Sequence, residues 1–423
     1  MGAAIGLIGM AGTGSVGWDS QVYWETIQNV RQGHDPYADA IAATQALRGQ
    51  LGAKPPLVYL YSPLTLTWLR LLAVFPGWVL GVVYTAAVGV GALAQLWAGF
   101  QMAEKDEQRW LALALPAVLF FPGLITDDVI LSGNVAYILY GLILAAAVPG
   151  WKRGRWGWYY AAVLAASIFK LPCLSLLAFP VLVERRQWLA SGITAAGGVL
   201  IFGAQMWMWP QMFREYLATL RLMFDWKREF GFSPAGVLGK ALFSHALAPS
   251  PATTILYLAY ASVLGIVLLI LAKRVDEWRL GREMWVPVAL VGTLLLSPRI
   301  MKYDMAAFTV PMLLIGWRAL RREADARRED SATVGRSKAE STTPLKPTTG
   351  LNGPPIETTA GAASIAIGAA CFVIPNVITV TGPSWVPGEL AVLLAVLGMG
   401  IWSVEKAGRA GTIAAQMRRL PLR

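Results

Sequence analysis

The sequence predicts an all-α fold, a polytopic transmembrane bundle of about twelve spans, several of them short or re-entrant, with juxtamembrane helices on the outer face. Three observations carry that expectation. Hydrophobic residues make up 56% of the 423 and charged residues only 14%, too apolar a mixture for the surface of a water-soluble chain of this size. Apolar runs recur along the chain, separated by short polar breaks. Tryptophans stand at those breaks, among them Trp110, Trp151, Trp188, Trp209, Trp278, Trp285 and Trp317, where an amphipathic indole suits the head-group level.

The runs lie at about 1 to 14, 77 to 100, 110 to 126, 133 to 150, 158 to 183, 189 to 208, 251 to 272, 284 to 297, 303 to 317, 361 to 378 and 388 to 404. Several fall short of the roughly 20 residues that a straight span needs. The first is short and has no basic residue before it, so the expectation is a start lacking a few residues rather than a cleaved signal peptide. The run at 158 to 183 holds Lys170, Leu171 and Pro172 at its middle, with Lys152, Arg153 and Arg155 before it and Arg185 and Arg186 after it. Two short spans meeting at Lys170 put both basic flanks on one side. Counted that way, these residues share the cytoplasmic side with Lys273, Arg274, Arg279, Arg282, Arg318, Arg321 and Arg322, as the positive-inside rule requires. Lys406, Arg409, Arg418 and Arg419 of the tail join them. The expected location is the plasma (inner) membrane, crossed many times.

The same parity puts residues 15 to 76, 209 to 250 and 297 to 304 outside. Residues 63 to 75 are apolar but too short to cross and end at Pro76-Gly77, which reads as a re-entrant or interfacial helix. Residues 209 to 250 mix aromatic and aliphatic residues with Arg214, Arg221, Lys227 and Arg228, a pattern for a helix lying on the outer leaflet. The domain reading is a membrane core at 1 to 317, a disordered cytoplasmic linker at 318 to 360, and a C-terminal pair of spans with a basic tail at 361 to 423. The linker is rich in Arg, Glu, Ser, Thr, Pro and Gly and lacks the apolar content to pack.

Other classes are excluded. The net charge of +11 is scattered through the breaks and forms no single basic face, so no nucleic-acid partner is expected. Cys173 and Cys371 both lie in apolar runs and give neither a disulfide framework nor metal-ligand spacing. Gly12-Thr-Gly-Ser-Val-Gly17 has the spacing of a dinucleotide fingerprint, but it follows a membrane segment rather than a strand and is a chance match.

Chemistry is sought in the first outer loop. Asp19 follows the first membrane segment and sits where a lipid-linked substrate would present its head group; it serves there as a base, or it caps the helix that begins near Ser20. His34 shares the loop, where substrate binding or proton movement competes with simple exposure. Asp127 and Asp128 are adjacent acids at an outer helix end, with too few further ligands grouped around them for a metal. No essential metal and no cofactor are expected.

The chain resembles the GT-C superfamily of membrane glycosyltransferases, and within it the polyprenol-phosphate-mannose-dependent phosphatidylinositol-mannoside mannosyltransferases. The resemblance rests on Asp19 with Tyr23, Gly33-His34-Asp35-Pro36-Tyr37, Tyr61-Ser62-Pro63, Gly133-Asn134, Lys170 with Pro172, Phe232-Ser233-Pro234, Ser297-Pro298, and Tyr303-Asp304. It covers most of residues 15 to 317. It implies inverting transfer of a hexose, mannose-like, from a polyprenyl-phosphate donor to a lipid or glycan acceptor, with membrane lipids around the site and Asp19 as the base. Tyr23, Tyr37 and Tyr61 join the substrate-binding candidates through their motifs. The short first span and the Thr126-Asp127-Asp128 stretch depart from the family pattern.

So few polar groups suffice for that chemistry. A glycosidase protonates an alkoxide leaving group with a second carboxyl, whereas a polyprenyl phosphate leaves as a stabilised anion. Lys170, Arg299 and Lys302 are the cations available to the phosphate. Snorkelling toward head groups competes for Arg299 and Lys302, while Lys170 lies in mid-run, where an unpartnered charge is costly. Asp304 binds acceptor, or it pairs or caps at the start of a span. The alternative class is a transporter or flippase of lipid-linked or small sugars, but the polar signal here concentrates in a loop after the first segment rather than at midplane. A cysteine probe at Gln45 is expected to label from outside the cell, whereas probes at Gly154 and Ser331 are not. Outside labelling at Gly154 reverses the orientation.

Overall fold

The computed structural model describes residues 18–48, 50, 56, 58–120, 133–227, 233–234, 236–237, 251–301, 304, 307–321 and 386–417. The expected first segment, the Gly12 to Gly17 motif, Asp127, Asp128, Lys302, Tyr303, the expected linker beyond Arg321 and the expected span at 361 to 378 lie outside the described residues. Those described are helical throughout, apart from turns and connections. The helices are α1 (Trp18–Arg31), α2 (Pro36–Arg48), α3 (Pro63–Leu72), α4 (Gly77–Met102), α5 (Lys105–Phe120), α6 (Ala136–Arg153), α7 (Gly157–Phe169), α8 (Ala178–Val183), α9 (Trp188–Met208), α10 (Pro210–Lys227), α11 (Pro251–Trp278), α12 (Arg282–Leu295), α13 (307–321) and α14 (Val386–Met417).

Among the described residues, four helical stretches are long and apolar enough to cross a membrane: Gly77–Met102, Arg185–Met208, Thr254–Trp278 and Leu390–Ala410. Exposed apolar side chains stud the first three, Val82, Val90, Leu93, Leu200, Ile255 and Ile266 among them, as lipid-facing surfaces require. Helix α12 differs. Every residue from Trp285 to Leu295 is buried, because it runs through the middle of the bundle, and a helix apolar all round belongs there.

The apolar run at 158 to 183 does break at Lys170. Helix α7 stops at Phe169, Lys170 takes an extended backbone (φ −134°, ψ 93°), and Pro172 opens a 3-10 turn over Leu171–Leu177. Proline lacks the N–H that would have continued α7. The chain then doubles back: Tyr159 Oη donates to the Leu176 carbonyl at 2.7 Å, and Trp156 Nε1 donates to Glu184 Oε2 at 2.9 Å. Both basic flanks therefore meet at one end of a helical hairpin whose tip is Lys170. The 13 residues of α7 reach roughly 20 Å, less than the about 30 Å of a hydrocarbon core.

Basic residues gather at that same end. Arg318 donates to both Glu107 oxygens at 2.8 and 2.7 Å, to the Glu283 carbonyl at 2.6 Å and to the Met102 carbonyl at 3.1 Å, tying α4, α5 and α12 to α13. Both side chains are buried, which is tolerable because the guanidinium is so fully bonded. Arg282 reaches the Trp151 carbonyl at 2.5 Å, and Arg274 pairs with Glu405 at 2.6 Å. At the opposite end, α1, α2, α3 and α10 close over a separate small core of Val22, Ile27, Tyr37, Leu66, Phe213 and Tyr216.

Helices α4 and α6 touch backbone to backbone. A Cβ added at Gly91 would lie 2.4 Å from the Tyr137 carbonyl oxygen, and one at Gly141 would lie 2.4 Å from that of Gly91. Only glycine permits this approach, a familiar device between membrane helices. The contact fixes where α6 begins and hence where Asn134 sits. Gly141→Ala is expected to destabilise the protein by about 1–3 kcal/mol through overpacking. Gly89→Ala, on the same helix as Gly91 but with open space around its Cβ, is expected to be neutral or slightly stabilising. Equal unfolding temperatures for the two variants would rule out so tight a crossing.

Candidate active site

Asp19 lies in the first turn of α1, inside the helix rather than at its N-cap. A first-turn carboxylate is favoured by the helix dipole, but the side chain is held from elsewhere. Asn134 Nδ2 donates to Asp19 Oδ2 at 2.7 Å, while Asn134 Oδ1 accepts from the Ala136 backbone N–H at 3.0 Å. One buried amide thus caps the start of α6 and fixes the carboxylate of α1. A primary amide offers a donor and an acceptor on separate atoms at once. Gly133 precedes it with φ +64°, a left-handed conformation that favours glycine, and its carbonyl accepts from Tyr84 Oη.

A row of phenols runs away from Asp19. Tyr23, one turn further along α1, shares a hydrogen bond of 2.5 Å with Tyr61, their rings 5.4 Å apart. Burial, then the neighbouring Tyr61 and Tyr84 and the charge of Asp19, pushes the Tyr23 phenol well above its ordinary pKa. It stays protonated. Tyr37 Oη donates to the Tyr61 carbonyl at 2.7 Å, and its ring lies 5.5 Å from Tyr59 and 6.0 Å from Tyr216. Tyr37 is fully buried, so it supports Tyr61 from behind.

The segment after Tyr61 ties this row to the tip of the hairpin. Ser62 and Thr65 hydroxyls donate to the Ile168 carbonyl at 3.3 and 2.8 Å, and the Leu64 N–H donates to Gln205 Oε1 at 2.9 Å. Two residues beyond Ile168, Lys170 Nζ pairs with Asp304 Oδ1 at 3.0 Å, both side chains largely buried. The second oxygen of Asp304 accepts from the Met301 N–H at 2.9 Å. A pocket of only about 10 Å³ on the Asp304 side of the pair is lined by Tyr140, Pro172, Ser297, Arg299 and Asp304. The Arg299 charge also reaches Tyr216, whose phenol burial pushes up to about 12 against that opposing influence.

Asp19, Tyr23, Tyr61, Lys170, Arg299 and Asp304 thus gather at one end of the bundle. His34 does not join them closely: it is exposed in the turn after α1, with the 14 residues of that helix, roughly 20 Å, between it and the first turn. Lys302 lies outside the described residues. Asn134 stood in a motif that carries the resemblance, but nothing in the sequence assigned it to Asp19. The available signal was a positive-φ glycine followed by an asparagine at the start of an apolar helix. Tyr84, which lies mid-run in an apolar span, gave none.

Removing Asn134 leaves a half-buried carboxylate short of a charge-assisted bond, a loss of about 1.5–3 kcal/mol. Asn134→Ala is therefore expected to speed amide hydrogen exchange over the first turns of α1 and to leave α7 unchanged. Unaltered exchange in α1 would mean that the bond does not hold Asp19.

The chain matches the sequence profile of Glycosyltransferase family 87 over residues 59–298, more than half of its length. The matched stretch contains Tyr61, Asn134, Lys170 and Ser297-Pro298, whereas Asp19, Tyr23, His34, Tyr37, Arg299, Lys302 and Asp304 lie outside it. No curated protein and no solved structure matches the chain. Its helices, its four candidate spans and this match agree: the chain belongs to glycosyltransferase family 87, a GT-C family of membrane enzymes that take their sugar from a polyprenol phosphate.

Proposed function

We propose that this enzyme transfers a mannose-like hexose from a polyprenyl-phosphate donor to a lipid or glycan acceptor at the outer face of the plasma membrane, with inversion and with Asp19 as general base. The observation that carries this reading is the 2.7 Å bond from buried Asn134 to Asp19, at the end of the bundle that also holds the Lys170–Asp304 pair. The basic residues lie at the other end, and the positive-inside rule assigns that end to the cytoplasm.

In the proposed reaction the acceptor hydroxyl attacks the anomeric carbon as the bond from that carbon to the phosphate oxygen breaks. Asp19 takes the hydroxyl proton, and the bonding electrons leave with polyprenyl phosphate. The phosphate gains one negative charge in this step, so a cation near it binds the departing group more strongly than the donor. Lys170 suits that role. Its ammonium is a compact charge with three donors, and Asp304 keeps that charge compensated within the bundle. Arg299 adds positive charge beside the same cavity. Tyr23 and Tyr61 offer protonated phenols to sugar hydroxyls. Asn134 holds Asp19 through Oδ2 and so orients the carboxylate toward its role.

Asp19→Asn keeps the size of the side chain and removes the base. Transfer is expected to fall by roughly 10²- to 10⁴-fold, with expression and donor binding near wild type. Lys170→Met is expected to weaken donor binding as well as turnover, because the phosphate contact exists before the transition state and tightens within it. Full activity in purified Asp19→Asn protein would end the assignment of the base.

A further inference from the structure

At the basic end of the bundle, the α6–α7 turn borders a cleft of about 540 Å³ lined by Pro149, Arg153, Arg155, Gly157, Trp158 and Ala161. The proposed transfer does not use it. Asn134 and the cleft lie at opposite ends of α6, whose 18 residues span roughly 27 Å. Two of its lining groups, Arg153 and Arg155, are cations. Lys152 donates to Gln101, Arg186 pairs with Glu184, and Arg282 donates to the Trp151 carbonyl. Arg153 and Arg155 have no side-chain partner among the described residues. Glu184, the carboxylate beside this turn, already serves Arg186 and the Trp156 indole.

The turn itself is rigid. Gly154 (φ +69°) closes α6 with its N–H on the Gly150 carbonyl at 2.8 Å, and the Arg155 N–H bonds the Pro149 carbonyl at 3.1 Å. The two guanidiniums are therefore carried at fixed backbone positions on one cleft. Helix α7 starts there with no side chain capping its amides, which adds partial positive charge. Beside these cations Trp158 is 74% exposed, and the exposed face of α7 continues with Ala161 and Ala165, too small to fill the space along an apolar helix.

We infer that this cleft binds the phosphodiester head group of an anionic phospholipid in the leaflet opposite the active site. Arg153 and Arg155 take the phosphate oxygens, for which a planar guanidinium is well matched. Trp158 packs at the glycerol level, and an acyl chain follows the small residues of α7. A soluble anion would use the arginines alone, whereas a phospholipid also uses Trp158 and Ala161 on the same cleft, so the combination of cationic floor and apolar wall favours a lipid. Basic pockets beside membrane helices hold anionic head groups in this way.

Native mass spectrometry of the purified full chain tests this, with phosphatidylglycerol and phosphatidylcholine as competing probes. Wild type is expected to retain a phosphatidylglycerol molecule that the double variant Arg153→Gln, Arg155→Gln binds roughly ten- to thirtyfold more weakly. Trp158→Ala is expected to weaken it too. Lys273→Gln, which removes an exposed charge paired with Glu277 away from the cleft, is expected to change nothing, and inorganic phosphate in large excess is expected not to displace the lipid. Equal retention by the double variant would overturn the site. An equal loss in Lys273→Gln would reduce it to diffuse surface charge, and displacement by inorganic phosphate would make it a site for the free anion.

Discussion

A lysine inside an apolar bundle must be compensated, and much of the end of this molecule opposite its basic cluster is arranged around that requirement. Lys170 sits at the tip of a hairpin of two short helices, where Pro172 forbids continuation and the extended backbone of Lys170 itself makes the turn. Its counter-charge, Asp304, comes from the connection between α12 and α13 and is held by the Met301 N–H. Taking two charges out of water costs several kcal/mol per ion unless geometry and further hydrogen bonds offset it. The pair is therefore weak evidence for a stability device. Apolar residues of similar volume would have held the bundle at least as well, which favours a role for the ammonium toward an anion.

Asp19 presents the same logic with the opposite sign. Its carboxylate accepts a bond from a neutral amide, and that bond orients the charge without cancelling it. Cation and anion are in turn linked through neutral contacts: Tyr23 to Tyr61, and Ser62 and Thr65 to the last turn of α7. The basic end is built differently. There Arg318 bonds both oxygens of Glu107 and the backbone carbonyls of Glu283 and Met102, joining four helices in one buried network. One end of the bundle is fastened by the Arg318–Glu107 network, and the other holds the Lys170–Asp304 pair and the amide-bonded Asp19.

Local features of this design were legible in the sequence. The Lys170-Leu171-Pro172 break between two basic flanks predicted the hairpin, because a short apolar run that cannot span must return to the side it came from. Pro76-Gly77 likewise marked the end of the short helix α3, which stops at Leu72. The number of spans was not legible. An apolar run such as 284 to 297 looks the same whether lipid or protein surrounds it, and α12 turns out to be walled by its own neighbours. Partners distant along the chain were equally hidden. Asn134 is 115 residues from Asp19, and Asp304 is 134 from Lys170; no periodicity connects such pairs. Asp304 was open to capping, ion pairing or acceptor binding, and only the folded chain identifies its cation.

The central claim is that a single oriented carboxylate and a phosphate leaving group suffice, with no covalent intermediate on the protein. Stereochemistry is its most direct test. Single attack by the acceptor on the anomeric carbon inverts it, whereas a protein nucleophile would invert twice and retain it. The anomeric configuration of the transferred sugar, read by NMR of the product made from a polyprenyl-phosphate donor of known configuration, is predicted to be opposite to that of the donor. A product with the donor's configuration would contradict the account and require a nucleophile that the proposed mechanism does not contain.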